Sequence, residues 1–123
     1  DRKAEGPVPG KPLDREELKR LKREQAEQRN ALYKKMRPKQ DAYAKLEAEL
    51  EAMLTEQSEV EAALADPEVY ADGNRTTELL KRFSQLKETS EQALEKLEAL
   101  EAELAELEAQ RAALSMNSGP DEL

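Results

Sequence analysis

The 123-residue chain has no cysteine, no histidine and no tryptophan, and only one phenylalanine and three tyrosines. Without cysteine or histidine there is no disulfide framework, no thiol nucleophile, no Cys/His zinc site and no Ser–His triad. So few aromatics do not fill a thick globular core. Glycine is sparse, at positions 6, 10, 73 and 119, and none of the four opens a Gly-rich phosphate loop ending in Lys-Ser/Thr. No apolar run approaches the ~20 residues of a membrane span, and no signal-peptide pattern opens the chain. A cytoplasmic protein without membrane contact is therefore expected.

What is present is charge, at 39% of residues, mixed with Leu and Ala. That mixture marks either long helices or a disordered chain, since the net charge is −8. Periodicity decides between them. Leu32, Met36, Lys39, Tyr43, Leu46, Leu50, Met53, Gln57, Val60 and Leu64 are spaced alternately by four and three. A second such line runs through Leu79, Phe83, Leu86, Ser90, Ala93, Leu97, Leu100, Leu104, Leu107, Arg111 and Leu114. Both are sustained a/d seams of a heptad repeat. Folded back on each other they match in phase: Leu64 meets Leu79, Leu50 meets Ala93, Leu46 meets Leu97 and Tyr43 meets Leu100. Large residues face small ones at Met53/Ser90 and Leu50/Ala93, which suits interdigitation. The short connection favours an antiparallel pair. The expected fold is all-α: a two-helix intramolecular antiparallel coiled-coil hairpin with an N-terminal basic helix and flexible ends, present as a monomer.

Breakers set the expected boundaries. Residues 1–12 hold two Gly and three Pro and read as a linker to a larger protein. The hairpin domain spans 13–115: a basic helix 14–37, a first coil helix 38–65, a tip 66–74 and a second coil helix 75–115. Residues 116–123 read as a disordered tail. Asp14 and Glu17 have the spacing of a capping box. Pro38 kinks or briefly interrupts the first helix, because it lacks an amide hydrogen and crowds the preceding turn. Asp66 and Pro67 start a short helical turn, and Asn74 or Thr76 caps the second long helix. Val69 and Tyr70 are expected to fold back over the end of the seam.

Charge is unevenly spread. Residues 1–40 carry thirteen Lys/Arg against seven Asp/Glu, whereas residues 41–123 carry seven against twenty-one. The Glu-rich second helix reads as a solvated exterior, because a hard-cation site needs converging oxygens. A two-helix hairpin has no apolar pocket to tune a catalytic carboxyl, so neither enzyme activity nor a cofactor is expected in this chain. The functional signal is the basic segment: Arg15, Lys19, Arg20, Lys22, Arg23, Arg29, Lys34, Lys35 and Arg37. A helical stripe of this kind neutralises phosphates. With Tyr33 alone nearby there is no stacking platform, so recognition by backbone and shape is expected. The competing reading pairs these cations with Glu16, Glu17, Glu24, Glu27 and acids of the other helix.

In order, the chain has a Pro/Gly linker, the basic run with Ala26-Glu27-Gln28-Arg29, Pro38, a heptad, Leu64-Ala65-Asp66-Pro67-Glu68-Val69-Tyr70, and a second heptad. From residue 11 to about 114 this resembles the C-terminal coiled-coil domain of ABC-F ATP-binding cassette proteins, soluble twin-cassette ATPases without membrane domains. The resemblance implies translation-linked work on the ribosome, with DNA binding by this domain in some members. It implies that ATP hydrolysis belongs to cassettes elsewhere in the parent chain, which would then be a partner. Lys19, Arg20, Lys22, Arg23 and Arg29 become the foremost contacts for DNA or ribosomal RNA. A lesser resemblance links residues 66–86 to the N-terminal helical region of class I release factors. A purely structural or protein–protein coiled-coil module therefore stays open.

Overall fold

A computed structural model describes residues 14–118. The expected linker 1–12 and the tail from 119 lie outside the described residues. Three helices follow in order: α1 (Arg15–Ala65), α2 (Pro67–Ala71) and α3 (Gly73–Ser118). Among the described residues there is no strand. The two long helices pack against each other, and the fold is an all-α helical hairpin.

Local chemistry sets the ends of each helix. Asp14 Oδ1 accepts from the Glu17 amide at 2.8 Å, which satisfies one of the unpaired amides that open α1. Glu16 and Glu17 in that first turn face the positive end of the helix dipole. From Arg15 to Ala65 no glycine interrupts, and Pro38 is the sole proline. Of the two expectations at Pro38, a kink or a brief interruption, the interruption is not seen: α1 continues through it as one 51-residue helix. An interior proline costs about 3 kcal/mol in a helix. Tertiary contacts flank the proline on both sides. Met36 is buried, and the Lys39 ammonium donates to Glu103 on α3.

At its C-terminal end α1 stops where Pro67 forces the preceding residue out of the helical region. Asp66 is extended, at φ −77° and ψ 120°. Its Oδ1 then accepts from the Glu68 amide at 3.0 Å and opens α2, with Pro67 in the first turn. Asp72 ends α2 by donating its amide to the Val69 carbonyl at 3.0 Å, and its Oδ1 accepts from the Arg75 amide at 3.2 Å. The cap of α3 is thus Asp72, neither Asn74 nor Thr76, and the helix begins at Gly73, two residues earlier than expected. Thr76 has another role: its hydroxyl donates to the Val69 and Tyr70 carbonyls at 3.1 and 3.3 Å. At the far end α3 runs to Ser118, so residues 116–118 are helix where a disordered tail was expected.

The chain resolves into two compact units. One combines α1 up to Lys35 with α3 from Leu107 onward; the other is Met36–Glu106. In the first, Leu32 and Leu107 are buried. A shallow groove there is lined by Ala31, Leu32, Ala113 and Leu114, with Gln28, Lys35 and Gln110 at its rim.

In the second unit Leu50, Ala93 and Leu97 form a buried cluster, and Tyr43, Leu46 and Met53 pack against it. The cluster brings together two pairs that the heptad register sets, Leu50 with Ala93 and Leu46 with Leu97. Ser90 is buried and satisfies its hydroxyl by donating to the Lys87 carbonyl at 3.0 Å. A groove lined by Ala42, Leu46, Ala99 and Leu100, with Lys45, Glu49 and Lys96 at the rim, repeats the first unit's groove two heptads away along each helix. The same heptad geometry therefore operates in both units. At the tip Val69 is buried, but Tyr70 is 67% exposed, against the expectation that both cover the seam. Adjacent side chains on a helix diverge by about 100°, so a single turn points one of the two inward.

Candidate nucleic-acid interface

The basic residues from Arg15 to Arg29 lie on the first part of α1. At about 100° per residue, Arg15, Lys19, Lys22, Arg23 and Arg29 fall within about 120° of arc, while Arg20 and Lys35 project elsewhere. Arg15, Lys19, Arg20, Lys22 and Arg23 are exposed, and Arg29 is half-buried. Lys34 and Lys35 are exposed and close the first unit. Arg37, also exposed, belongs to the second unit, so the nine candidates are not one contiguous set within a single unit.

The start of α1 has little apolar anchoring. Leu18 is half-buried and Leu21 is 39% exposed. Among the described residues, no ion pair joins Arg15, Lys19, Arg20, Lys22, Arg23, Lys34 or Lys35 to a carboxylate. Glu16, Glu17, Glu24 and Glu27 are on the same helix and exposed, but none of them holds one of these cations in an ion pair. Arg15, Lys19, Lys22 and Arg23 therefore face solvent without an ion-pair partner among the described residues, beside the exposed carboxylates of the same helix, and exposed cations of this kind are what a phosphate backbone requires.

The ion pairs that do form are elsewhere. In the second unit Arg82 grips Glu56 with two parallel bonds of 2.6 and 2.7 Å. That fork holds the Glu56 carboxyl below its usual value and pushes Arg82 up. In the first unit Arg111, at a seam position, bonds Glu108 through Nε at 2.9 Å. Glu108 is lowered and Arg111 raised mainly by this bond, and Tyr33 adds a smaller upward pull on Arg111. Sequence reasoning placed Lys39 and Arg111 in the seams but missed their partners Glu103 and Glu108. The missed signal is positional: each partner flanks the seam, within reach of a long basic side chain.

Among the described residues, no group of three or more Asp or Glu gathers as a metal site. Glu88, Glu91, Glu95, Glu98, Glu101, Glu103, Glu106 and Glu108 are each exposed along α3. No described helix is long and apolar enough to cross a membrane.

No curated protein and no solved structure matches the chain. One family does, the ABC transporter C-terminal domain, over residues 34–98. The match takes in Pro38, most of the first seam, the tip and the second seam as far as Leu97; of the basic candidates it includes Lys34, Lys35 and Arg37. Because it covers more than half of the sequence, the chain belongs to the ABC transporter C-terminal domain family.

Proposed function

We propose that this accessory domain belongs to an ABC protein of the ABC-F class and binds nucleic acid, DNA or ribosomal RNA, through the basic start of α1. The observation that carries the reading is the exposed stripe of Arg15, Lys19, Lys22 and Arg23, with Arg20 beside it, none of them ion-paired among the described residues. The ABC-F class rests on the order of motifs from the basic run to the tip, and it places the domain's work in translation or DNA maintenance. The ATP-binding cassettes of the parent chain supply hydrolysis; a C-terminal accessory domain is not itself the ATPase. Contact is made to phosphates and helix shape, because the stripe has no aromatic platform on which bases stack.

Titration against duplex DNA and structured RNA at a series of salt concentrations tests this. Affinity is expected to fall linearly on a log–log plot, with a slope of about −0.9 for each phosphate neutralised on B-DNA. Changing Lys19, Arg20, Lys22 and Arg23 together to Gln should make that slope shallower by up to about 3.6. Absence of binding at low salt, or a slope that the fourfold change leaves intact, refutes the proposal and favours a structural or protein–protein role.

A further inference from the structure

Four large apolar side chains of the second unit stand about half exposed or more: Leu54 at 50%, Tyr70 at 67%, Leu80 at 54% and Leu94 at 48%. Tyr70 is at the tip. The three leucines share a heptad position. With Tyr43 and Leu50 at a, and Leu46 and Met53 at d, Leu54 is at e; the register of α3 puts Leu80 and Leu94 at e as well. In an antiparallel pair the e positions of both helices border one side of the seam and the g positions the other. All three exposed leucines therefore lie on one flank. The opposite flank is closed by Arg82 and Glu56, both at g, in their bidentate pair.

Position e of a two-stranded coil ordinarily carries charge. Leucine there widens the apolar stripe of each helix beyond what one partner helix covers. The flank is also strongly acidic. Glu47, Glu51 and Glu61 surround Leu54 at helical spacings, Glu91 and Glu98 bracket Leu94, and Lys87 is the basic residue among them.

We propose that this flank is a docking surface for a basic amphipathic helix of a partner protein, which lays an apolar stripe along Leu54, Leu80 and Leu94 as a third strand of the coil. Charge selects the occupant. A second copy meeting flank to flank would set these glutamates against one another, whereas a helix with Lys or Arg beside its apolar stripe pairs with them. The proposal is independent of the basic start of α1, and its outcome leaves the nucleic-acid reading untouched.

The probe is a synthetic helix of about 18 residues with a leucine stripe flanked by lysines, compared with a scrambled peptide of the same composition without the stripe. The full chain should bind the striped peptide at least about tenfold more tightly. Leu54→Gln with Leu94→Gln should abolish that preference while circular dichroism shows unchanged helix. The milder pair Leu54→Ala and Leu94→Ala keeps high helix propensity and should reduce the preference in the same direction. Equal binding of both peptides overturns the proposal by reducing the interaction to bulk charge, and a preference that survives these changes overturns it by placing the striped peptide elsewhere on the chain. Self-association in sedimentation velocity that Leu54→Gln and Leu94→Gln abolish also overturns it, by making a second copy the occupant.

Discussion

Gln57 occupies an a position between Met53 and Val60 in the first seam, and the register sets it against Leu86, which is 3% exposed. Its Oε1 is buried without a hydrogen-bond partner. A buried acceptor left unpaired costs about 1–3 kcal/mol, part of which a leucine at the same position recovers. Gln57→Leu is therefore expected to raise unfolding stability by about 1–2 kcal/mol, read as a higher denaturant midpoint with an unchanged slope. No gain would mean that the oxygen finds water. Ser90 is the counterexample in the second seam. It is as polar and more deeply buried, but its hydroxyl has the Lys87 carbonyl, so no such gain is expected there. The heptad spacing placed both residues in the seam. It does not tell which of two buried polar groups is satisfied, because that depends on rotamers and on a carbonyl one turn away.

The elements were legible where the signal was periodic and less so where it was punctuation. The seams locate α1 and α3, and Asp66-Pro67 marks the start of α2 through a geometric constraint that one dipeptide carries. The start of α3 was misplaced because four consecutive residues, Asp72 to Arg75, include three that favour caps or turns. Tertiary context chose Asp72, whose amide also closes α2. Gly73 then falls in the first turn of a helix, not at a turn apex. A Cβ added there meets nothing within 4 Å, and its φ lies outside the left-handed region. The glycine is therefore unnecessary in the folded state and costs entropy in the unfolded one. Gly73→Ala should stabilise the chain by about 0.4–1 kcal/mol, and Asp72→Ala should destabilise it by about 1 kcal/mol, both by thermal unfolding. Opposite signs at adjacent positions distinguish a helix start from a Gly-dependent turn, for which both changes would be harmful. Pro38 shows the converse problem. Its local rule predicts a break, but Met36 and Lys39 on either side of it already have partners, and contacts of that kind are invisible to propensity.

At the scale of the whole chain, the basic start of α1 was legible as a composition shift and its exposure follows from its thin apolar stripe. What sequence could not supply was the absence, among the described residues, of ion pairs at Arg15, Lys19, Arg20, Lys22 and Arg23, since Glu16 to Glu27 offer suitable spacings throughout. Whether one chain or two build the coil turns on the connection. Residues 66–72 join the two long helices, and so short a tether gives the second helix an effective concentration in the millimolar range. A second chain competes only when its own concentration approaches that value. Within the second unit Leu46 packs against the cluster that holds Leu97. The chain has no cysteine, so thiols placed at these two positions have no native competitor. Leu46→Cys with Leu97→Cys should link within one chain under mild oxidation or a short bifunctional thiol reagent. Denaturing electrophoresis should then show the mass of one chain across a hundredfold range of protein concentration. A doubled mass that grows with concentration would mean that the same a/d seam joins two chains, because a heptad stripe pairs equally well within a chain or between chains and the seven-residue tip alone decides between them.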